Sequence, residues 1–365
     1  MRYKGIRAFF AVLLGYCGLF STLFFYPEPP QTDSVKFAAS LGAGWNLGNT
    51  LDAWNLPAPE DTETCWGNPR ASRELFLFLK ECGFSTVRLP VTWFLHLDEN
   101  GRISEAWLDR VNEVVDYAVD AGLNAVINVQ HDDQDWLIAD REHEKSSCEQ
   151  LVRIWTQLGE RFMEYDDKVI FETMNEPRVV GSETEWDGNE EGREVVNNLN
   201  LAALKAIRDT GGNNLRRYVF ITDYAASVLE ENYTALEIPD DDHIIVSLHY
   251  YPSTAHRSEF KDCEEPLRFR EKREIYEKLR DFYDIFAAKG VGVCISEFGW
   301  TDRDHIENLS EKASYFVGTA GKFGFNCFVW DNGLDFGVID RNYNSVLYPS
   351  YLEAITYNQT AQQGK

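Results

Sequence analysis

Short apolar, β-branched runs recur along this chain, separated by stretches in which hydrophobic residues return every three or four positions. The runs cover residues 42–46, 85–91, 125–131, 169–175, 217–222, 244–251, 291–297 and 326–331, and their starts lie 27 to 48 residues apart. Between them, Leu75, Phe78, Leu79 and Cys82 fall at i, i+3, i+4 and i+7. Trp107, Leu108, Val111, Val114, Val115 and Ala118 keep the same period, as do Leu151, Ile154, Trp155 and Leu158, and later Leu279, Phe282, Tyr283 and Phe286. Strand-like runs alternating with helix-period runs predict a parallel sheet with crossover helices. Eight such units predict an α/β fold closed as a (β/α)8 TIM barrel. A doubly wound open sheet is the competing architecture, but no glycine-rich phosphate loop follows the first strand.

A barrel places its chemistry at the carboxyl ends of the strands. Here those ends carry Asn46, Arg88, Gln130 and His131, Asn175 and Glu176, His249 and Tyr251, Glu297, and Trp330. Glu176 and Glu297 are 121 residues apart in sequence, but strands 4 and 7 face each other across a small barrel. Two opposed carboxyl groups are the requirement of glycoside hydrolysis, one donating a proton to the leaving oxygen and the other attacking the anomeric carbon. Arg88, a cation inside an apolar run, needs a buried partner. Beside Glu297 it would favour the ionised carboxylate. Asn175 is placed to bond a sugar 2-hydroxyl, and Trp330 offers a flat apolar face to a pyranose.

The chain resembles glycoside hydrolase family 5, the cellulase family of clan A, from GWNLGNTLDAW (44–54) to WDNG (330–333). GWNLGNTLDA and ETCWGNP (63–69) make it most similar to the subfamily of endo-β-1,4-glucanases, licheninases and xyloglucanases. The resemblance implies that Glu176 in MNEPR is the acid/base and Glu297 in SEFG the nucleophile. Arg88, Gln130, His131, Asn175, His249, Tyr251, Trp330 and Asn46 then form the substrate-binding set, with Tyr251 donating near the nucleophile. One departure stands out. The family pattern has two adjacent histidines after strand 3, whereas this chain reads Asn128-Val129-Gln130-His131-Asp132, so Gln130 occupies the first histidine's place. Glutamine can donate and accept but cannot become cationic. Trp300, directly after SEFG, is bulkier than the pattern and is expected to narrow the cleft or add a sugar platform. Two or three of Trp45, Trp54, Trp66, Trp93, Trp136, Trp186 and Trp300 are expected to stack on sugars.

The implied activity is a retaining endo-β-1,4-glucanase acting on cellulose, mixed-linkage glucan or xyloglucan. A xylanase or mannanase on the same barrel and a carbohydrate-binding pseudoenzyme are the alternatives. The formal net charge of −25 repels phosphate backbones and polyanions, which excludes nucleic acid and favours a neutral polysaccharide partner. Neither cofactor nor metal is implied: there is no CxxC, and His131 with Asp132, Asp133 and Asp135 lacks an EF-hand glycine. Cys82, Cys294 and Cys327 read as ordinary buried thiols. Residues 8–26 form an uncharged apolar run behind Arg2, Lys4 and Arg7, the layout of a signal peptide or an uncleaved signal anchor. The expectation is an extracellular or membrane-anchored monomer: residues 1–26 as export segment, 27–34 as a Pro-rich linker and 35–360 as the barrel. Sequons at Asn232, Asn308 and Asn358 are compatible with export.

Overall fold

The structure, a computed structural model, describes residues 24–252 and 263–363. Strands β1 (Gly44–Leu47), β2 (Thr86–Leu89), β3 (Asn124–Asn128), β4 (Val169–Glu172), β5 (Val219–Thr222), β6 (Ile244–His249), β7 (Gly292–Phe298) and β8 (Asn326–Asp331) pair in parallel in chain order. β1 also pairs with β8, which closes the barrel. Helix α1 (Asp33–Ser40) precedes β1. Each strand is followed by a helix: α2 (Arg73–Glu81), α3 (Glu105–Asp120), α4 (Glu144–Phe162), α5 (Glu190–Asp209), the short α6 (Glu230–Tyr233), α7 (Phe269–Ile285), α8 (Ile306–Lys322) and α9 (Pro349–Gln363). β9 (Ile339–Asp340) and β10 (Ser345–Val346) form a small antiparallel pair before α9.

Helices α2 and α5 start where a capping residue precedes an apolar stripe. Ser72 accepts from Leu75 N at the start of α2, and Asn189 accepts from Gly192 N at the start of α5. Their buried faces are the periodic residues, such as Leu75, Phe76 and Leu79 on α2 and Val111, Val114, Val115 and Ala118 on α3. These pack with the outward strand residues in one continuous cluster. The barrel interior is filled separately. Val126, Ile170, Phe220, Ile245, Cys294 and Phe328 meet inside it, closed from the N-terminal end by Ala38 and Leu41 around α1. Gly44 is required there, because a Cβ would stand 1.8 Å from the Phe328 ring.

Side chains two apart on a strand share a face. One step beyond the apolar layer therefore come Asn128, Glu172, Thr222, Ser247, Ser296 and Trp330, and from β1 and β2 come Asn46 and Arg88. The interior changes from apolar to polar within one strand period, toward the carboxyl ends of the strands. Two irregularities adjust it. The β6–β7 register shifts so that Leu248 faces Ile295 while His249 faces Glu297, and the β7–β8 register shifts between Ile295 and Phe298. The extra residue, Ser296, points inward, and the shift brings Glu297 in as well; strict alternation would have aimed it at the helices.

Residues 1–23, which hold most of the expected export segment, lie outside the described residues. From residue 24 the chain is docked on the barrel. Tyr276 Oη accepts from Phe25 N at 2.8 Å and donates to Phe25 O at 2.7 Å, and Tyr26 packs on Tyr276 and Phe323. Thr32 caps α1, which starts inside the Pro-rich stretch. Among the described residues, no helix is long and apolar enough to cross a membrane. Among the described residues Cys263, Cys294 and Cys327 are buried, while Cys82 is half-buried. Asn232 is 1% exposed and spends its amide on Tyr224 O, so that sequon is sealed in the fold.

Candidate active site

Arg88 is the hub. Its side chain is wholly buried, and each of its three nitrogens donates. Nε bonds Glu172 Oε2 at 2.6 Å, Nη1 bonds Glu297 Oε1 at 2.7 Å and Asn46 Oδ1 at 3.0 Å, and Nη2 bonds Asn175 Oδ1 at 2.8 Å. Burial would lower the guanidinium's pKa, but Glu172 and Glu297 outweigh it and push it up. The second oxygen of Glu297 accepts from Tyr251 Oη at 2.8 Å and lies 3.5 Å from His249 Nδ1. Burial, reinforced by the charge of Glu297, raises the Tyr251 phenol well above its ordinary range, so it acts there as a donor.

Glu176 leaves the end of β4 toward the same point. His249 Nδ1 lies 2.8 Å from Glu176 Oε1, and Arg178 Nη1 lies 3.6 Å from Oε2. An oxygen of Glu176, an oxygen of Glu297 and a ring nitrogen of His249 lie within 4.8 Å of one another. Burial alone would push the Glu176 carboxyl up and the His249 imidazole down. In Glu176 the hydrogen bond and charge of His249 outweigh burial and lower the carboxyl, and in His249 the charge of Glu297, followed by Glu176, outweighs burial and raises the imidazole. His249 Nε2 is buried with no hydrogen-bond partner among the described residues. The same three groups have the spacing of metal ligands, but Arg88 and Arg178 already supply positive charge beside them, and we read the trio as a proton-transfer cluster.

Several sequence expectations are corrected. Asn46 and Arg88 are 0% exposed and cannot touch a sugar. Asn46 accepts from Arg88 and donates to Ser296 O at 2.9 Å, so both act from beneath, through Glu297 and Asn175. Trp300 is 2% exposed, bonds Pro252 O at 3.0 Å and packs on Phe298 and Phe316. It belongs to the core and provides no platform. Trp45 and Trp93 are likewise fully buried. Gln130 is 3% exposed, and its Oε1 accepts from Asn128 Nδ2 at 2.5 Å. The acidic residues after β3 turn to separate partners. Asp132 accepts from Trp93 N and Trp136 Nε1, Asp133 lies 2.5 Å from Arg178, and His131 lies 3.6 Å from Asp52.

The remaining site residues border the cleft. His131 is partly exposed, and its ring lies 5.8 Å from that of Trp66, which packs in turn on Trp54. Trp330 is partly exposed at the end of β8. It approaches Gly48 so closely that a Cβ there would stand 2.7 Å from the indole. On the side of Glu176, Arg178 stacks on Trp186 at 4.3 Å and bonds Glu185 at 3.2 Å. Glu172, Arg178 and Ser247 were not singled out from sequence, and Asp133 was considered only within an acidic run not expected to bind metal. The available signal was a charged residue inside an apolar run, which did identify Arg88.

The sequence profile described as Cellulase (glycosyl hydrolase family 5) matches residues 52–335. Endoglucanase A of Clostridium longisporum is 37% identical over 353 residues, covering 91% of this chain and 68% of that protein. Endoglucanase A of Ruminococcus albus is 36% identical over 344 residues, covering 91% of this chain and 94% of that one. Among solved structures, a GH5-4 broad-specificity endoglucanase from Clostridium longisporum superposes with a TM-score of 0.86 at 35% identity, covering 90% of this chain and 98% of that one.

Proposed function

The chain belongs to glycosyl hydrolase family 5, the cellulase family, and on that footing we propose that it is an endo-β-1,4-glucanase that cleaves neutral β-glucans with retention of configuration. The observation that carries this reading is the placement of Glu176 and Glu297 oxygens within 4.8 Å of each other at the carboxyl ends of the strands. Retaining enzymes hold their carboxyl groups about 5–5.5 Å apart, whereas inverting ones need roughly 6.5–9.5 Å to admit a water.

In the first step Glu297, anchored by Arg88 and Tyr251, attacks the anomeric carbon while Glu176 protonates the leaving oxygen. His249 Nδ1, 2.8 Å from Glu176 Oε1, is placed to exchange that proton with the carboxyl. A sugar filling the cleft removes solvent from Glu176, whose side chain is 19% exposed. Desolvation favours the neutral pair, carboxylic acid plus imidazole, over the ion pair. In the second step Glu176 takes a proton from water, which attacks the glycosyl ester. With Glu297 esterified, one of the charges raising the His249 imidazole is gone. Asn175 is the polar group placed to meet a sugar hydroxyl, and Trp330, Trp66 and Trp54 provide ring faces.

Similar proteins include a lichenase from Caldicellulosiruptor sp. F32 and a xyloglucan-specific endo-β-1,4-glucanase from a metagenomic library. We take mixed-linkage glucan and xyloglucan, with cellulose, as the substrate class here. The basic N-terminus and the apolar run behind it support export, with the barrel outside the cell, released or held by that segment. The test is a panel of hydroxyethylcellulose, mixed-linkage glucan, xyloglucan, xylan and mannan, followed by product length and viscosity. Rapid viscosity loss and mixed short oligosaccharides from the β-glucans are expected. Cleavage of xylan or mannan alone, or release of a single disaccharide without viscosity loss, would overturn the reading.

A further inference from the structure

Glu172 is a charged residue that the hydrolysis chemistry above does not use. It is 0% exposed, and it sits one strand step below the catalytic carboxylates, directly after the apolar Ile170 position on the same face of β4. Burying an ion pair costs more than it returns unless the remaining lone pairs are satisfied. Here they are. Oε2 pairs with Arg88 Nε at 2.6 Å, Oε1 accepts from Ser247 Oγ at 2.5 Å, and Ser247 Oγ lies 2.6 Å from Ser296 Oγ. The neighbouring layer of the same barrel is filled by Ile170, Phe220 and Phe328, so packing does not call for a charge at this depth.

One guanidinium thus serves two carboxylates, Glu172 through Nε and Glu297 through Nη1. We propose that Glu172 is a positioning residue that draws part of the Arg88 charge away from Glu297 and so sets how firmly the nucleophile is held. This rests on the reading of Glu297 as nucleophile. Held too tightly, a carboxylate is a poorer nucleophile but a better leaving group, so the two steps of double displacement respond in opposite senses. The other charged and titratable groups around the node are Glu176 beyond β4, His249 and Tyr251 from β6, and Cys294 on β7. The Cys294 thiol is raised by burial and further by Cys327 and Glu172.

Glu172→Gln keeps an acceptor for Arg88 Nε and removes the charge. The Ser247–Ser296 pair can reverse its donor direction to meet the amide. Arg88 then bears on Glu297 alone. Removing a neighbouring negative charge favours the ionised nucleophile, so the acidic limb of kcat/KM should move to lower pH, by about one unit. Glycosylation, read from kcat/KM on cellotetraose, should slow by about tenfold. Deglycosylation, read from kcat on 2,4-dinitrophenyl β-cellobioside, should not slow. Ser247→Ala gives the opposite sign. Glu172, deprived of its hydroxyl donor, draws more on Arg88, and the acidic limb should rise. If Glu172→Gln does not fold, the upward shift in Ser247→Ala decides alone. An unmoved acidic limb in the folded variants, with both steps slowed alike and the melting temperature lowered, would mean that Glu172 only supports the fold and would overturn the proposal. Absence of β-glucan hydrolysis by the unaltered protein would instead remove the functional reading on which it rests.

Discussion

Replacement of Glu297 by glycine is expected to lower hydrolysis of β-glucan by roughly three orders of magnitude or more, since nucleophile deletions typically cost at least that much. The loss follows from what surrounds the carboxylate. Arg88 at 2.7 Å and Tyr251 at 2.8 Å would remain as donors around a space the size of a carboxyl group. A small anion is the species such a space accepts. Azide should therefore restore part of the turnover of 2,4-dinitrophenyl β-cellobioside, whose leaving group needs no acid. Azide would enter from the face where Glu297 stood, displacing the aglycone once, so the product should be the α-azide. Near-normal hydrolysis by the variant, or a β-azide product, would remove Glu297 from this role.

Glu176→Ala is expected to discriminate among leaving groups. Natural oligosaccharides, with poorly departing sugar hydroxyls, should lose about 10²–10⁴-fold, the usual contribution of a positioned acid. 2,4-Dinitrophenyl β-cellobioside should keep its first step nearly intact. Azide should now intercept the glycosyl ester on Glu297 and give the β-azide, the opposite anomer from the Glu297 variant. The pH profile carries a second readout. His249 is raised above its ordinary value of about 6.5 by Glu297 and Glu176, so the Glu176–His249 pair keeps its proton until pH passes that raised value. The alkaline limb of the unaltered protein should accordingly lie above the ordinary imidazole range and should flatten in Glu176→Ala. Equal losses on both substrates with an unchanged alkaline limb would contradict the assignment.

The sequence carried the barrel because each strand is a short apolar run and each helix keeps its period. The 326–331 run coincides with β8, and the other strands differ only by frayed ends. Glu176, Glu297, Arg88, His249 and Tyr251 were legible as polar residues at strand ends, and the structure brings all five together. What was not legible depended on depth and parity. Asn46 reads like a cleft residue from its place at a strand end, yet it lies below the carboxylates with its amide spent on Arg88 and on strand carbonyls. Trp300 follows Glu297 by three residues, and its direction depends on register shifts in β7 that no local pattern announces. Arg178 stands inside the quoted MNEPR motif, but its pairing with Asp133 joins segments 45 residues apart. Glu172 could have been found by the argument that identified Arg88, a charge within an apolar run whose partner must be buried with it.

The convergence of Glu176 and Glu297 is the centre of this account, and its stereochemical consequence can be measured without altering the protein. Proton NMR of cellotetraose hydrolysis, recorded within the first minutes before mutarotation, reports the configuration of the newly formed reducing end. Carboxylates within 4.8 Å leave room for a covalent glycosyl ester but not for a water between nucleophile and sugar. The β-anomer should therefore appear first, with the α-anomer growing in later by mutarotation. Initial release of the α-anomer would mean inversion and would contradict the double displacement assigned to this pair.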